Sequence, residues 1–361
     1  MLDLVKYGCR SGNAFDNTDI IQRAIGTSGE TVFSLPAGNF RVNGTIKINK
    51  PGIRFCGNNY GREIDNATII EHYGNGSLFQ IGDENAPYYG GPQGFKLENI
   101  SLVNKSPLSK SLQNPYSRSI KRDRYGDNSI AIQDWRGGGM ILTNVQIEHF
   151  YQAIWGCQSD INRLNNVNLF YNYMGLCFEP GSDQLSVTCL YTIGNDNVVN
   201  LNGCNGARFN DCQFVKEGEP SKSPIQLDYC NSVRFDGCWF ESLNSGMESI
   251  SSYVKLGENV ECRGIVFRDS TLAILDKTES GIPACNYFIE VIRAKSVRID
   301  EINGHPKNLK KLILFNGNHI IQQITVSAHL DYTYPDGTYY DKTADCDASI
   351  NIIDYLKMDT R

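Results

Sequence analysis

Apolar and polar positions recur along this chain in blocks of six: LENISL from residue 97, LTNVQI from 142, LNNVNL from 164, VTCLYT from 187, FNDCQF from 209 and FDGCWF from 235. Weaker copies, FRDSTL and IDEING, begin at 267 and 299, so the offsets from 142 onward are 22, 23, 22, 26, 32 and 32 residues. A short, nearly fixed period is the mark of stacked supersecondary units. Each block carries an apolar residue first, a small residue third and an apolar residue fourth. The third position reads Asn99, Asn144, Asn166, Cys189, Asp211 and Gly237. Asn, Asp and Gly tolerate a left-handed backbone, so this position predicts a tight corner. The fourth position, Val145, Val167, Leu190, Cys212 and Cys238, is predicted to point inward and to stack from unit to unit.

A second apolar run follows each block after a variable link: AIWGC, GLCFE, VVNLN, PIQLD, YVKLG and FIEVI. Each unit then holds about three short strands. Helical solenoids repeat over similar lengths, but these units are rich in Val, Ile, Phe, Tyr and Asn with period-two alternation and lack 3.6-residue stripes. The expectation is an all-β chain, a right-handed parallel β-helix of about ten coils with a short N-terminal capping helix. The cap is read in DNTDIIQRAIG, where Ile20, Ile21, Ala24 and Ile25 share a helical face, Thr18 or Asp19 caps the start and Gly26 ends it. Residues 1–45 form the cap and lead-in, 46–330 the coils, and 331–361 a C-terminal cap or subunit contact.

With 361 residues, 40% of them hydrophobic, the chain can bury a substantial core. A formal charge of -6 argues against nucleic acid as a partner. No apolar run approaches the roughly 20 residues that cross a bilayer, and the start lacks signal-peptide character. The 12 cysteines show no CxxC spacing and the five histidines no zinc-type cluster, so no metal or other cofactor is expected. Cys204 and Cys230, equivalent on consecutive units, read as a reduced stack.

The stretch VKYGCRSGNAFDNTDIIQRAI, with TVFSLPAGNFRVNGTIKI and GIRFCGNN after it, resembles the N-terminal segment of the pectate-lyase-like right-handed β-helix superfamily. The resemblance implies a polysaccharide-degrading enzyme, in style nearest the bacteriophage tailspike depolymerases. A polysaccharide substrate, a homotrimer and a place in a virion tail or outside the cell follow as expectations, with the cytoplasm as the alternative location. No coiled-coil heptad marks a trimerisation module.

Within the second apolar runs, Ile154, Leu176, Val199, Ile225, Val254 and Ile289 are expected inward. One outward column then reads Trp155, Cys177, Asn200, Gln226, Lys255 and Glu290, and the next Cys157, Glu179, Asn202, Asp228 and Gly257. Glu179 and Asp228, two coils apart, would have backbones about 9.5 Å apart. Inverting glycosidases hold their carboxyls roughly 6.5–9.5 Å apart. Glu179 and Asp228 are therefore the expected acid and base. Asn200, Asn202 and Gln226 would bind sugar hydroxyls, Trp155 would stack on a ring, and Asp196 is a third candidate acid. Lys255 and Glu290 form either a salt bridge or a second catalytic pair. Lyase chemistry on a uronate, aided by Lys255 and Arg293, and a non-catalytic glycan-binding module are the rival readings. The insertion at 104–129 carries a net +4 and reads as a clamp over an acidic polysaccharide or as a solvated loop.

Overall fold

A computed structural model describes residues 1–61, 65–85, 91–106, 128–216, 223–242, 250–273, 285–304, 309–317, 321–330, 338–343 and 352–354. The chain is a right-handed parallel β-helix. By internal contacts it divides into two units, Met1–Ser186 and Val187–Arg361.

In the first unit, Lys96–Asn104, Ile141–Glu148 and Arg163–Phe170 stack in parallel and in register. Each strand bends at its fourth residue, where Asn99, Asn144 and Asn166 have φ of 56°, 54° and 54°. These are the corners expected from the third block position. Their amides form a ladder, Asn144 donating to Asn99 and Asn166 to Asn144, both at 2.8 Å. Ile100, Val145 and Val167, one residue on, are fully buried. A second parallel series joins Ser77–Ile81, Ile130–Trp135, Gln152–Cys157 and Met174–Glu179.

The N-terminal helix is Thr18–Thr27, and it buries Ile21, Ala24 and Ile25. Its ends differ from expectation. Asp16, not Thr18 or Asp19, satisfies the first turn by accepting from the Thr18 amide at 3.0 Å and the Thr18 hydroxyl at 2.6 Å. Gly26 lies inside the helix, which closes on the Ser28 amide bonded to the Ala24 carbonyl. The left-handed residue that lets the chain leave is Gly29, at φ 73°.

In the second unit, Phe209 stacks on Phe235 at 4.8 Å and Phe235 on Phe267 at 4.9 Å, with their ring planes nearly parallel. Phe214 stacks on Phe240 at 5.4 Å. FNDCQF and FDGCWF are therefore consecutive rungs that superpose residue by residue. At their shared corner Asp211 and Gly237 have φ of 52° and 64°. A Cβ on Gly237 would stand 2.6 Å from Oδ1 of Asp211, so a larger residue at this corner would make the Asp211 side chain move. Asn197–Asn202, Ile225–Asp228, Ile250–Leu256, Cys285–Val291 and Lys311–Phe315 make the unit's second series, with Val199, Ile225, Val254 and Ile289 buried as expected. The described cysteines are free thiols, Cys204 and Cys230 among them.

Candidate functional site

Four strands of the first unit, Gly38–Val42, Thr68–His72, Lys96–Asn104 and Ile141–Glu148, lie side by side. Alternation sends Phe40, Ile70, Leu102 and Ile147 into the core, where all four are fully buried. The residues after them therefore face away from it, and one column reads Arg41, Glu71, Val103, Glu148. Beside it runs Asn39, Ile69, Ser101, Gln146.

An outward carboxylate on a solenoid is ordinarily solvated, yet Glu71 and Glu148 are each only 4% exposed. The segment through residues 58–61 crosses this face, its Gly61 amide donating to the Ser101 hydroxyl at 2.8 Å and its Tyr60 hydroxyl accepting from Asn166. Glu71 accepts from the Asn39 amide at 3.2 Å and the Tyr73 hydroxyl at 3.3 Å. The Arg41 guanidinium lies over the Tyr73 ring, 4.4 Å from its centroid. Burial, and then the charge of Glu71, push the Tyr73 phenol up, so it remains a donor to Glu71 at neutral pH. Glu148 accepts from the Gln146 amide and lies 3.7 Å from Nε2 of His149. His149 stacks on Tyr171 and His72 on Phe150.

Glu71 and Glu148 are two strands apart in one column, which sets their backbones about 9.5 Å apart. Both sit in a tripeptide IEH, at 70–72 and 147–149. Sequence reasoning followed the corner hexamers and missed this repeat. The signal was present: a carboxylate and an imidazole written twice at the end of an alternating strand.

The residues singled out from the sequence fall into three groups. Trp155 and Glu179 belong to the first unit, in the columns Gln133, Trp155, Cys177 and Trp135, Cys157, Glu179. Trp155 packs edge-on against Trp135 at 4.4 Å. Oε1 of Glu179 lies 3.9 Å from the buried Cys177 thiol, which burial and then the Glu179 charge push up to about 12.

Asn200, Gln226, Lys255 and Glu290 form one outward column of the second unit, with Asn202 beside Asp228 in the next. Lys255 and Glu290 are register neighbours, but Lys255 pairs with Glu258 at 2.7 Å. Glu290, 5% exposed, accepts from Ser251, Ser252 and Asn316. Asp228 accepts from the amides of Asn259 and Val260 and from the Asn259 side chain, binding the turn at 257–260. Arg293 holds the same turn through the carbonyls of Glu258 and Asn259.

Asp196 is 7% exposed and its charge acts on the buried Lys216. The Glu179 and Asp228 of the expected pair thus belong to different units. The basic insertion lies outside the described residues between 107 and 127. Among the described residues no group of three or more His, Cys, Asp or Glu is arranged to hold a metal ion. No described helix is long and apolar enough to cross a membrane.

No protein-family model and no curated protein matches the sequence. Solved structures do match. The Acinetobacter phage AS12 gp42 tailspike shares 11% identity at a TM-score of 0.65, covering 100% of this chain and 66% of its own. PfbA, a surface adhesin of Streptococcus pneumoniae, shares 12% at 0.59, over 97% of this chain and 90% of its own. DFA-IIIase from Arthrobacter chlorophenolicus shares 10% at 0.63, over 96% and 86%. These likenesses agree with the right-handed parallel β-helix fold. The chain spans 62% of a Geobacillus virus E2 protein, ORF18, that it also matches, so it is shorter than either viral protein. A tailspike, an adhesin and DFA-IIIase share this fold with the chain at such low identity that the fold alone is common to them.

Proposed function

We propose that this protein is a glycan-cleaving enzyme, a glycoside hydrolase acting on a bacterial surface or extracellular polysaccharide, with Glu71 and Glu148 as its general acid and base. The observation that carries the reading is their placement: two sheltered carboxylates in one outward column, two strands apart. Their backbone spacing suits carboxyls roughly 6.5–9.5 Å apart, which leaves room for the water of an inverting displacement. Asn39, Tyr73, Gln146 and His149 around them provide hydrogen-bonding groups for sugar hydroxyls and for orienting each carboxylate. The tailspike and DFA-IIIase likenesses support a carbohydrate substrate, and the viral ones a place in a virion tail or outside the cell.

The test is a screen of the purified protein on capsular polysaccharides, lipopolysaccharides and fructans, reading new reducing ends. Glu71→Gln and Glu148→Gln should bind whatever the parent cleaves and lose about 10²- to 10⁴-fold in rate. Parent-like cleavage by both variants would remove the carboxylate pair from the chemistry. The adhesin likeness favours a second reading, glycan binding without cleavage; it would show as saturable binding with no reducing ends.

A further inference from the structure

The second unit carries an outward row of a different character. Tyr191, Gln213, Trp239, Thr271 and Asn303 occupy one register column on successive strands. Trp239 is 41% exposed, among the few large hydrophobic side chains of the described residues that are. Its neighbour Phe240 turns inward to stack on Phe214, so the fold's need for an aromatic is met one position away. Trp239 is also held in orientation. Its indole N–H donates to Oε2 of Glu241 at 3.0 Å, and the Gln213 amide donates to the same oxygen at 3.2 Å. The indole face is fixed before any ligand arrives, which removes an ordering cost from binding.

We infer that this row is a glycan-binding track, in which Trp239 stacks on a neutral pyranose ring while Gln213, Thr271 and Asn303 meet hydroxyls of the flanking sugars. The chemistry of the row selects that occupant. Its column holds no ionisable cation, and the charges within two residues of it along the described strands are all acids: Asp211, Asp269 and Glu301 at the corners, and Glu241, which has no salt-bridge partner among the described residues. A uronate or sulfated sugar would bring its anion against this carboxylate. A pyranose presents C–H groups to the electron-rich ring face and hydroxyls at its rim, matching an aromatic flanked by Gln, Thr and Asn. The row advances about 4.8 Å per coil along the stack, so a linear glycan lying along it meets one polar residue per step. The inference takes its class of ligand from the reading proposed above but needs neither Glu71 nor Glu148.

The test uses the whole chain and neutral hexasaccharides of glucose, xylose and N-acetylglucosamine, with oligogalacturonate as the anionic control. Emission is a local readout because the chain has only three tryptophans, and Trp135 and Trp155 are less exposed. At least one neutral hexasaccharide should shift the emission saturably, and oligogalacturonate should not. Trp239→Ala should weaken binding about tenfold or more. Trp239→Tyr, which keeps a ring, should fall between the two and guards against a folding defect. Glu241→Gln should retain the neutral ligand and admit oligogalacturonate.

The inference is overturned if no neutral hexasaccharide moves the emission, if Trp239→Ala binds like the parent, or if emission depends on protein concentration in the absence of sugar, which would place a second copy on the row. Reducing ends are measured in the same samples. Cleavage with unchanged Trp239→Ala binding sinks the track and leaves the hydrolase; binding at Trp239 by a protein that releases no reducing ends from these or the screened polysaccharides does the reverse.

Discussion

Asp134 offers a quantitative check on how the coil interior treats charge. Its strand, Ile130–Trp135, places it inward, where it stacks beside Gly156 and is fully buried. The carboxylate accepts from the Ser159 hydroxyl and from the Gly137 amide at 3.1 Å. A Cβ on Gly137 would lie 2.2 Å from Oδ1, so the backbone crowds the acid closely. Burial raises the Asp134 carboxyl to about 6, against the lowering effects of Ser159 and Gly137. The unfolded value is 3.8, a gap of roughly 2 units, or about 3 kcal/mol.

Because the folded value is the higher one, the stabilising contribution is complete below pH 3.8 and is lost as pH rises through about 6. Above that, ionised Asp134 costs the fold about 3 kcal/mol. Asp134→Asn keeps an acceptor for Ser159 or Gly137 and cannot ionise. Its melting temperature should exceed the parent's at pH 7 by about 4 °C, with the difference shrinking toward pH 4. The assay is a thermal melt of both proteins at unit pH steps from 4 to 8. A difference that stays constant with pH, or that grows as pH falls, refutes the argument.

Lys216 is the converse case: burial depresses its amine to about 8 from 10.5, with Asp196 opposing the shift. Parent stability should therefore rise as pH climbs from about 8 to 10.5, by about 3 kcal/mol, and the double variant Lys216→Met with Asp196→Asn should flatten that rise in denaturant titrations. Asp228→Ala should lower stability by about 1 kcal/mol, measured by chemical denaturation, because it removes the acceptor that holds the exposed Asn259 and Val260 of the turn at 257–260, while leaving any glycan cleavage at the parent rate. A lost rate at unchanged stability would restore Asp228 to the catalytic role expected from the sequence.

The coil and its registers were legible because their causes are local. Positive φ is least costly for Asn, Asp and Gly, and the corner column announces itself through Asn99, Asn144 and Asn166, although Cys189 takes the same conformation at φ 53°. Alternation then assigns every neighbour to core or surface, which is why the inward column from Val199 to Ile289 agrees with the structure. The helix cap misled because Asp16, Thr18 and Asp19 have equal local claims, and the choice was made by Asn43, whose amide also bonds Asp16 at 3.1 Å. Burial of an outward side chain is not local at all. Nothing near the buried Ser101 in sequence says that the segment at 58–61 will bond to it, and nothing near Asp228 says that a turn 31 residues later will close on it.

That difference bears on which carboxylates can do chemistry. An ionised carboxylate has about four lone-pair sites, and a group that exchanges a proton with substrate or water needs one of them. Asp228 makes four contacts with N–H groups of Asn259 and Val260, which occupy both oxygens. Glu290 accepts from Ser251 and Ser252 on Oε2 and from Asn316 on Oε1, which leaves it a single site. Glu71, by contrast, accepts one donor on each oxygen, from Asn39 and Tyr73, so each retains a lone pair. Both neighbours are side chains that can turn to a substrate without unfolding a turn. Solvent exposure would have ranked these acids in the opposite order, favouring Asp228; counting the donors that the chain itself supplies favours Glu71, and the paired substitutions at Glu71 and Asp228 decide between the two criteria.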